Sequence, residues 1–573
     1  MNKKIGAILL ALIVVVGGGA AAYAMFGGSA KQQYFKSEFN TANTMWDDMK
    51  TRYAPEFDLY EKTLKHPYES STTMSLQVNP ESPLGMFLPV DQINGSSVTL
   101  DTQSDMKNEV IQANVDANIA GHEVNDMFVR LASHDLFLHL PFMKEMITVS
   151  DDTLNKFSKE EREREAKDGT VEDGFSVAME DIDFTEFFQQ GQLPEEKELK
   201  EMQGKMMKTL YDALDDESFV ESKETVDVFG ESVDAKKIVM TLGPDDLKKV
   251  SIAMLELIRD DKQFQTFIDV QLKQAIAMNE VDAEDDVQSV DDLNGQIDEA
   301  IKDIEASDFK GKLVSNVWID KNFIVQRELV MEDEETKVIV NGSHLRGKQG
   351  HQFAYSVGSA DGEPLALEGK TNWDGTKTDD TIELRIGSDF MSGYVAYETF
   401  KDHVREYTYT FTATPMEDGK AVDGLGSLVF TGSNSYKGDD VTSDQKIVLN
   451  VSGNNSQDVV LESKGTSSKL KAVDANPTDN VKNINDMSYD EATAYMEETF
   501  APLIDMLESF GGSMDMDMGE MEDVTMTEEE LLQLRADLEE AGIPVSDEEF
   551  EEMKQEMVAQ SVIQRPGSAR SFF

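Results

Sequence analysis

The stretch Lys312–Lys469 constrains the fold most, because short runs of alternating apolar and polar residues recur throughout it. A period of two residues is typical of strands that bury one face. Turn signals such as Asp361-Gly362 and Asp374-Gly375 separate the runs, and such spacing favours antiparallel strands joined by tight turns. For residues 311–510 we therefore predict a large curved antiparallel sheet, an open half-barrel, with a closing helix at Tyr489–Phe510.

The preceding residues 70–310 show the same period of two, interrupted by helical spacing. We predict strands there at 74–78, 98–100, Val110–Asn118, Val124–Leu131, Leu136–Leu140, Thr225–Phe229 and Ala235–Leu242. Between and after them, residues 151–220 and a block that begins at Pro244 carry apolar residues at helical spacing. This region is therefore predicted to be a β-meander with inserted helices, so the fold class is α+β.

Residues 27–69 are predicted to be a short joint followed by an amphipathic helix. Large side chains recur there every three or four residues, at Trp46, Met49, Tyr53, Phe57, Tyr60 and Leu64. Pro55 interrupts this pattern and should kink the helix or divide it in two. We expect the aromatic stripe to be a core face that packs onto the following sheet, since such stripes more often form cores than ligand sites.

Residues 5–26 form an uncharged run of apolar and small side chains that follows two lysines. About 20 such residues can cross a bilayer as a helix, and the lysines keep their side in the cytoplasm. We predict a single-pass signal anchor, with residues 1–4 cytoplasmic and the bulk of the chain extracytoplasmic. The alternative is a cleaved signal peptide with Ala22–Ala24 as its cleavage motif. A lipoprotein is excluded because the chain has no cysteine.

The charge of the chain is strongly one-sided: 112 acidic residues oppose 52 basic ones, a formal net charge of −60. Such a surface repels phosphate backbones, so we predict no nucleic-acid partner. The acidic surface also favours solubility in a saline or anionic environment such as a cell envelope.

Catalytic patterns are weak in this sequence, and we predict no enzymatic activity, no catalytic residue and no cofactor. The histidines are scattered, at positions 66, 122, 134, 139, 344, 351 and 403. His134 and His139 are placed on a predicted strand with opposite orientations, which prevents them from sharing a metal. Two Ser-x-x-Lys matches, at Ser104 and Ser443, fall in or beside β segments and not at the helix start that a nucleophile of this class requires.

Residues 511–526 are predicted to be a Met/Asp-rich linker. Its thioethers are the weak metal candidates of the chain, since clustered methionines suit Cu(I): Met514, Met516, Met518 and Met521. The alternative is a plain acidic linker, and the spacing does not match a calcium-binding loop.

The C-terminal residues 527–563 carry two capping boxes, Thr527 with Glu530 and Ser546 with Glu549. This pattern marks the starts of two helices. We predict a helical hairpin that docks on its own chain or on a partner, followed by a disordered tail at 564–573.

The order of these parts resembles uncharacterised exported proteins of Gram-positive bacteria. More distantly, it is similar to LolA/LppX-type carriers, whose open half-barrel holds helices in its concave face and shelters lipid. The segments that carry the resemblance are Val124–Pro141, Val226–Leu242 and Val317–Met331. The resemblance covers about residues 70–480 in architecture only. It implies a cavity for an apolar ligand, and no binding residue can be transferred from it.

Three functions stay open at this point. The leading hypothesis is a membrane-anchored extracytoplasmic protein that binds a lipid or other apolar envelope ligand in a half-barrel cavity. The alternative is a cell-envelope scaffold or protein-interaction module without a small ligand. A hydrolase or metal-binding protein is the third.

Overall fold

The fold is seen in a computed structural model of the chain. It describes residues 28–513 apart from gaps at 83, 86–87, 169–181, 186–187, 189–195, 278–289, 308–309, 334–335, 360–361, 363, 418–419, 422–425 and 452–456. Within these residues, none of the helices combines the length and the apolar character that a bilayer span requires. The predicted signal anchor and C-terminal hairpin lie outside the described residues.

The described helices are nine, and most of them lie in the first 310 residues. They are α1 (Ala30–Arg52), α2 (Ala54–Lys65), α3 (Val90–Ile93), α4 (Asp151–Asp168), α5 (Glu196–Ala213), α6 (Pro244–Asp260), α7 (Lys262–Ala277), α8 (Val290–Ala306) and α9 (Tyr489–Ser513). Their ends follow local chemistry. Ser29 and Gln32 form a capping box at the start of α1, and Pro244 occupies the first turn of α6.

The strands fill most of the remaining chain. In the first half they are β1 (Tyr68–Val78), β2 (Ser97–Asp105), β3 (Val110–Ile119), β4 (His122–Ala132), β5 (Asp135–His139), β6 (Met146–Ser150), β7 (Phe219–Val228) and β8 (Glu231–Leu242). In the second half they are β9 (Lys312–Asp320), β10 (Phe323–Glu332), β11 (Lys337–Arg346), β12 (Gly350–Ser359), β13 (Leu365–Asn372), β14 (Lys377–Ile386), β15 (Phe390–Lys401), β16 (Val404–Glu417), β17 (Lys420–Ala421), β18 (Gly426–Lys437), β19 (Asp440–Asn450), β20 (Val459–Lys469) and β21 (Val481–Asn483).

Nearly all of these strands belong to one large curved antiparallel sheet. Strands β7 to β16 pair in chain order, and β16 then pairs with β18, β18 with β19 and β19 with β20. Strand β20 pairs with β1, after which β1 to β5 again follow chain order. The β1–β20 pairing therefore joins the early meander to the late one, which were predicted as separate regions. The large curved antiparallel sheet itself is confirmed.

Helices α1 and α2 run across successive strands of this sheet. Their polar contacts advance along the chain in the same order as the strands: Tyr34 to Ser315 of β9, Glu38 to Arg327 of β10, Asp48 to Arg346 of β11, Arg52 to Asp380 of β14, Glu56 to Arg405 of β16 and Lys62 to Asp439 after β18. A helix rises about 1.5 Å per residue and strands lie about 4.8 Å apart, so this helix pair can reach across about ten strands.

The apolar core lies at one part of this face, between strands β7 to β10 and helices α1, α5 and α6. Its fully buried members include Ile238, Val317 and Met254. Farther along the sheet, from β11 to β16, buried charged and polar groups take the place of a comparable apolar cluster, among them His344, Glu398 and Arg405. The candidate site lies where the packing between the helices and the sheet changes from apolar to polar.

The chain divides into two compact units, residues 1–139 with 149–479 and residues 140–148 with 480–573. The large sheet from β7 to β20 and β1 to β5, the helices α1 and α2 and the apolar core belong to the first unit. In the second, β6 pairs in parallel with β21 at Met146–Val481. There Phe142 contacts Phe500 of α9 edge to face, with ring centroids 5.7 Å apart. Helix α9 matches the predicted closing helix and continues to Ser513.

The division of the N-terminal helix at Pro55 is confirmed, because α1 ends at Arg52 and α2 begins at Ala54. The packing of these helices on the sheet is confirmed too. The predicted core stripe is wrong. Trp46 and Met49 are 37% and 38% exposed, and the buried face of α1 comes earlier, at Tyr34, Phe35 and Ala42.

Candidate functional site

A cavity of about 960 Å³ lies between the helices and the sheet in the first unit. Helix α1 forms one wall, and the hairpin of β11 and β12, together with the end of β13 and the residues that follow it, forms the opposite one. Helix α5 adds Leu199, Lys200 and Gln203 to the lining. Ligand pockets usually have volumes of about 300–1,000 Å³, so this cavity is large enough for a small organic molecule.

The apolar part of the lining comes from large, flexible or aromatic side chains. These are Met45, Trp46 and Met49 of α1, Leu199 of α5, Phe353 of β12 and Trp373 just after β13. The N-terminal half of the stripe that the sequence assigns to the core, Trp46, Met49 and Tyr53, therefore faces a cavity. Trp46 also contacts Phe57 of α2 edge to face, with ring centroids 5.8 Å apart, which holds its indole at the cavity wall.

A chain of hydrogen bonds runs from the cavity wall into the sheet. Asp48 Oδ2 lies 3.0 Å from Nε2 of His351. The Nδ1 atom of His351 lies 2.9 Å from Nε2 of His344, and Nδ1 of His344 lies 2.8 Å from the Tyr355 hydroxyl. Arg346 donates to both Asp48 oxygens at 3.1 Å. Asp48, His351 and His344 thus link α1 to two adjacent strands.

Asp48 determines which atom donates and which accepts at each step of this hydrogen-bond chain. Asp48 can only accept, so His351 donates through Nε2 and, when neutral, accepts at Nδ1. His344 must then donate through Nε2 and accept the Tyr355 hydroxyl proton at Nδ1. Burial, followed by the neighbouring His351 and Arg327, lowers the pKa of His344 to about 4. A neutral His344 fits this arrangement of donors.

The hydrogen bonds from Asp48 to Tyr355 do not form the arrangement that activates a nucleophile. Its inner end is the Tyr355 hydroxyl, and burial raises the pKa of that hydroxyl, with Arg327 opposing and Glu38 adding to the shift. His344 is only 2% exposed, although it belongs to the lining of the cavity. We interpret the chain as a structural link that fixes the cavity wall.

Two features of the hairpin bring the histidines together. Register pairs His344 with Phe353 and Arg346 with His351, so the two histidines are diagonal neighbours on one sheet face. Gly342 leaves room for the Tyr355 ring, since a Cβ there would lie 2.6 Å from two ring carbons. The sequence analysis counted His344 and His351 among the scattered histidines and therefore missed their pairing across this hairpin. The seven-residue spacing across the Gly347-Lys348-Gln349-Gly350 turn was the available signal.

Next to the cavity, Arg52 and Tyr53 join a buried network on strands β14 to β16. Arg52 donates to Asp380 at 2.6 Å and to Glu398 at 3.1 Å. Arg405 donates to the other Glu398 oxygen at 2.8 Å and to Glu56 of α2 at 2.6 Å. Further donors to Glu398 are the hydroxyls of Tyr53, Thr378 and Tyr409.

The charges and hydrogen bonds in this network favour the ionised form of Glu398. Burial opposes the charge on Glu398, but Arg52, Tyr53 and Arg405 outweigh it and hold its pKa below the usual range. Burial raises the pKa of Tyr409, and the Glu398 charge adds to that shift. The Tyr409 hydroxyl therefore stays a donor. The network joins α1 and α2 to the sheet at the floor of the cavity.

The described residues also contain one group that could hold a metal ion: His134, Asp151 and Asp183, with ligand atoms within 4.8 Å of one another. His134 lies in the turn between β4 and β5 and not on a strand, which corrects its predicted placement. Asp151 accepts from His134 at 2.8 Å and from the backbone of Phe184 at 3.2 Å. These bonds account for the group without an ion, and we assign no metal to it.

The other sequence candidates are placed as follows. Ser104 and Ser443 lie in β2 and β19, which confirms that these Ser-x-x-Lys matches begin on strands. The metal candidates Met514, Met516, Met518 and Met521 lie outside the described residues, so the copper hypothesis stays a prediction.

No family model matches the chain, and no curated protein matches it either. Among solved structures, it is similar to a mutant of the Rh. blastica porin, with 7% identity, coverage of 71% of this chain and 99% of that chain, and a TM-score of 0.20. It is also similar to Salmonella typhi OmpF in complex with daunomycin, with 7% identity, coverage of 70% and 97%, and a TM-score of 0.16. At such TM-scores we base no inference on these similarities.

Proposed function

We propose that the protein is a non-enzymatic binding protein that holds a ligand with an apolar body in the cavity between α1, α5 and the β11–β13 part of the sheet. The observation that supports this most is the cavity itself. Its volume is about 960 Å³, and two tryptophans and two methionines line it. Binding sites are mostly apolar, with a few polar groups that fix the ligand's orientation.

The construction of the walls supports the same proposal. The polar groups around the cavity are largely satisfied by one another, through the Asp48–His351–His344 chain and the Arg52–Glu398 ion pair. Partnered groups of this kind make walls rigid without placing a nucleophile in the cavity. A rigid, partly apolar cavity reduces the conformational entropy that the protein itself loses when it binds a ligand.

The cellular setting belongs to the proposal as well. We propose that residues 5–26 tether the protein to the cell membrane, with the sheet outside the cytoplasm, as the apolar run and the preceding lysines favour. A tethered binding domain on the outer face would meet envelope lipids and other amphiphilic molecules. The strongly acidic surface suits that compartment.

The test compares ligand bound to the full chain with ligand bound to a cavity variant. Both are purified in one detergent, and organic extracts are analysed by mass spectrometry. Trp46→Glu places a carboxylate on the apolar wall and should reduce bound ligand about tenfold, because desolvating a charge beside an apolar chain is costly. Tyr60→Glu is the matched control, since Tyr60 is 39% exposed against 37% for Trp46 and lies outside the lining. Equal extracts from all three proteins would contradict the proposal.

A further inference from the structure

The side chains that line the cavity include more cations than carboxylates, whereas the protein as a whole is strongly acidic. The lining contains four cationic side chains, Arg52, Lys200, Arg346 and Lys348, and two carboxylates, Asp48 and Asp374. In the whole chain, acidic residues outnumber basic ones by 112 to 52. Cations are therefore concentrated at this cavity although the protein as a whole repels anions.

We infer that the cavity selects an anionic amphiphile, whose acidic head group binds Lys348 and Arg346 while its apolar chain lies against Trp46, Met49 and Phe353. This inference rests on the proposed function and adds the charge class of the ligand. A neutral head group would gain only a weaker hydrogen bond from the lysine than an anionic one, and a cationic head group would be repelled by it.

The positions of the two cations support this assignment. Arg346 ends β11 and Lys348 lies in the turn that follows, so both stand at the tip of one hairpin beside the cavity. Arg346 is held by Asp48 through two contacts of 3.1 Å, which leaves its other donors for a ligand. Lys348 is exposed and makes no hydrogen bond or ion pair with any residue that the structure describes.

Arg52, in contrast, is not part of the head-group site. Its guanidinium is committed to Asp380 and Glu398, and its side chain is 10% exposed. The apolar wall on α1 lies one to two turns before it, at Met49 and Trp46. A ligand with its head at the hairpin tip can thus bring its chain onto α1 without displacing the buried network.

Tryptophan fluorescence can test this, because two of the three tryptophans, Trp46 and Trp373, line the cavity. The third, Trp318, packs in a separate cluster with Val228, Ala235 and Val325. The full chain, in nanodiscs of zwitterionic lipid, is titrated with brominated C18 amphiphiles. Four head groups are compared on the same brominated C18 hydrocarbon tail: carboxylate, phosphate monoester, alcohol and amine.

We expect the two anionic amphiphiles to quench at concentrations about tenfold lower than the alcohol, since charge-assisted hydrogen bonds are the strong ones. Lys348→Glu should abolish this preference. Lys401→Glu, an exposed lysine at the end of β15 and outside the lining, should leave it unchanged. The ratio of carboxylate to phosphate affinity then distinguishes a free fatty acid from a phospholipid-type head group as the source of the charge.

The two proposals fail differently in this experiment. If all four head groups quench equally and Lys348→Glu has no effect, the charge selectivity is wrong while the apolar cavity stands. If none of the amphiphiles quenches Trp46 or Trp373, the proposed function itself is wrong. Added salt should weaken the anionic preference and leave binding of the alcohol unchanged, because screening acts on the charges alone.

Discussion

His344 and His351 contact each other diagonally across the β11–β12 hairpin, with Nε2 of His344 2.9 Å from Nδ1 of His351. This contact couples the inside of the sheet to the cavity wall, because His351 also binds Asp48 of α1. The two facing nitrogens cannot both carry a proton, so the chain closes only when at least one of the two imidazoles is neutral. The contact therefore makes the cavity wall sensitive to pH.

The first prediction concerns stability in acid. The pKa of His344 is about 4 in the folded protein, against its ordinary value of 6.5. Between these values the unfolded chain binds more protons, so the free energy of unfolding rises with pH and falls on acidification. This group should account for a loss of about 3 kcal/mol between pH 6.5 and pH 4. Urea denaturation across this range measures it.

The variant His344→Asn should flatten this pH dependence, even though it lowers stability at pH 7. His122→Asn provides the control, since His122 is exposed at the start of β4, and its curve should follow that of the wild type. If His344→Asn keeps the full slope between pH 6.5 and pH 4, His344 does not titrate as described.

The second prediction concerns the space beneath Tyr355. In Gly342→Ala the new Cβ would lie 2.6 Å from the Tyr355 ring and 2.9 Å from Cγ of Arg327. The ring must move and should weaken its bond to His344, at a cost of about 1–3 kcal/mol as for other overpacked sites. Gly295→Ala in α8 meets nothing within 4 Å and should instead stabilise by about 0.5–1 kcal/mol. Thermal melts distinguish these signs, and stabilisation by both variants would contradict the described packing.

The third prediction concerns Glu398, whose side chain is 1% exposed between two arginines. Glu398→Gln leaves Arg52 and Arg405 partly unpaired in a buried place, which should lower the free energy of unfolding by about 3–5 kcal/mol. Glu406→Gln changes an exposed carboxylate on the adjacent strand and should alter it by less than about 0.5 kcal/mol. Chemical denaturation followed by circular dichroism measures both. Similar values for the two variants would show that the network contributes little.

The local elements were largely predictable from the sequence. Alternation located the strands, and Pro55 and Pro244 marked where helices divide or begin. These signals depend on residues close in the chain, where backbone and side-chain preferences act directly. The curved antiparallel sheet followed from the spacing of strands and turns.

The candidate site was not predictable in the same way, because its contacts join distant residues. Arg52 and Asp380 are 328 positions apart, and nothing near Arg52 indicates which of 112 carboxylates it meets. Helical spacing grouped Trp46 with Tyr60, although only Trp46 lines the cavity. Which face of a helix is buried depends on the surface against which the helix packs. In this protein that surface is the sheet, which carries polar groups where a core was expected.

The most direct test of the account is to locate a bound apolar ligand. The full chain is photolabelled with a long-chain alcohol that carries a diazirine near its end, then digested and analysed by mass spectrometry. We predict adducts within residues 42–53 and 344–375, which contain most of the cavity lining, and a strong loss of these adducts in Trp46→Glu but not in Tyr60→Glu. Adducts confined to residues 5–26, or unchanged by Trp46→Glu, would contradict the account.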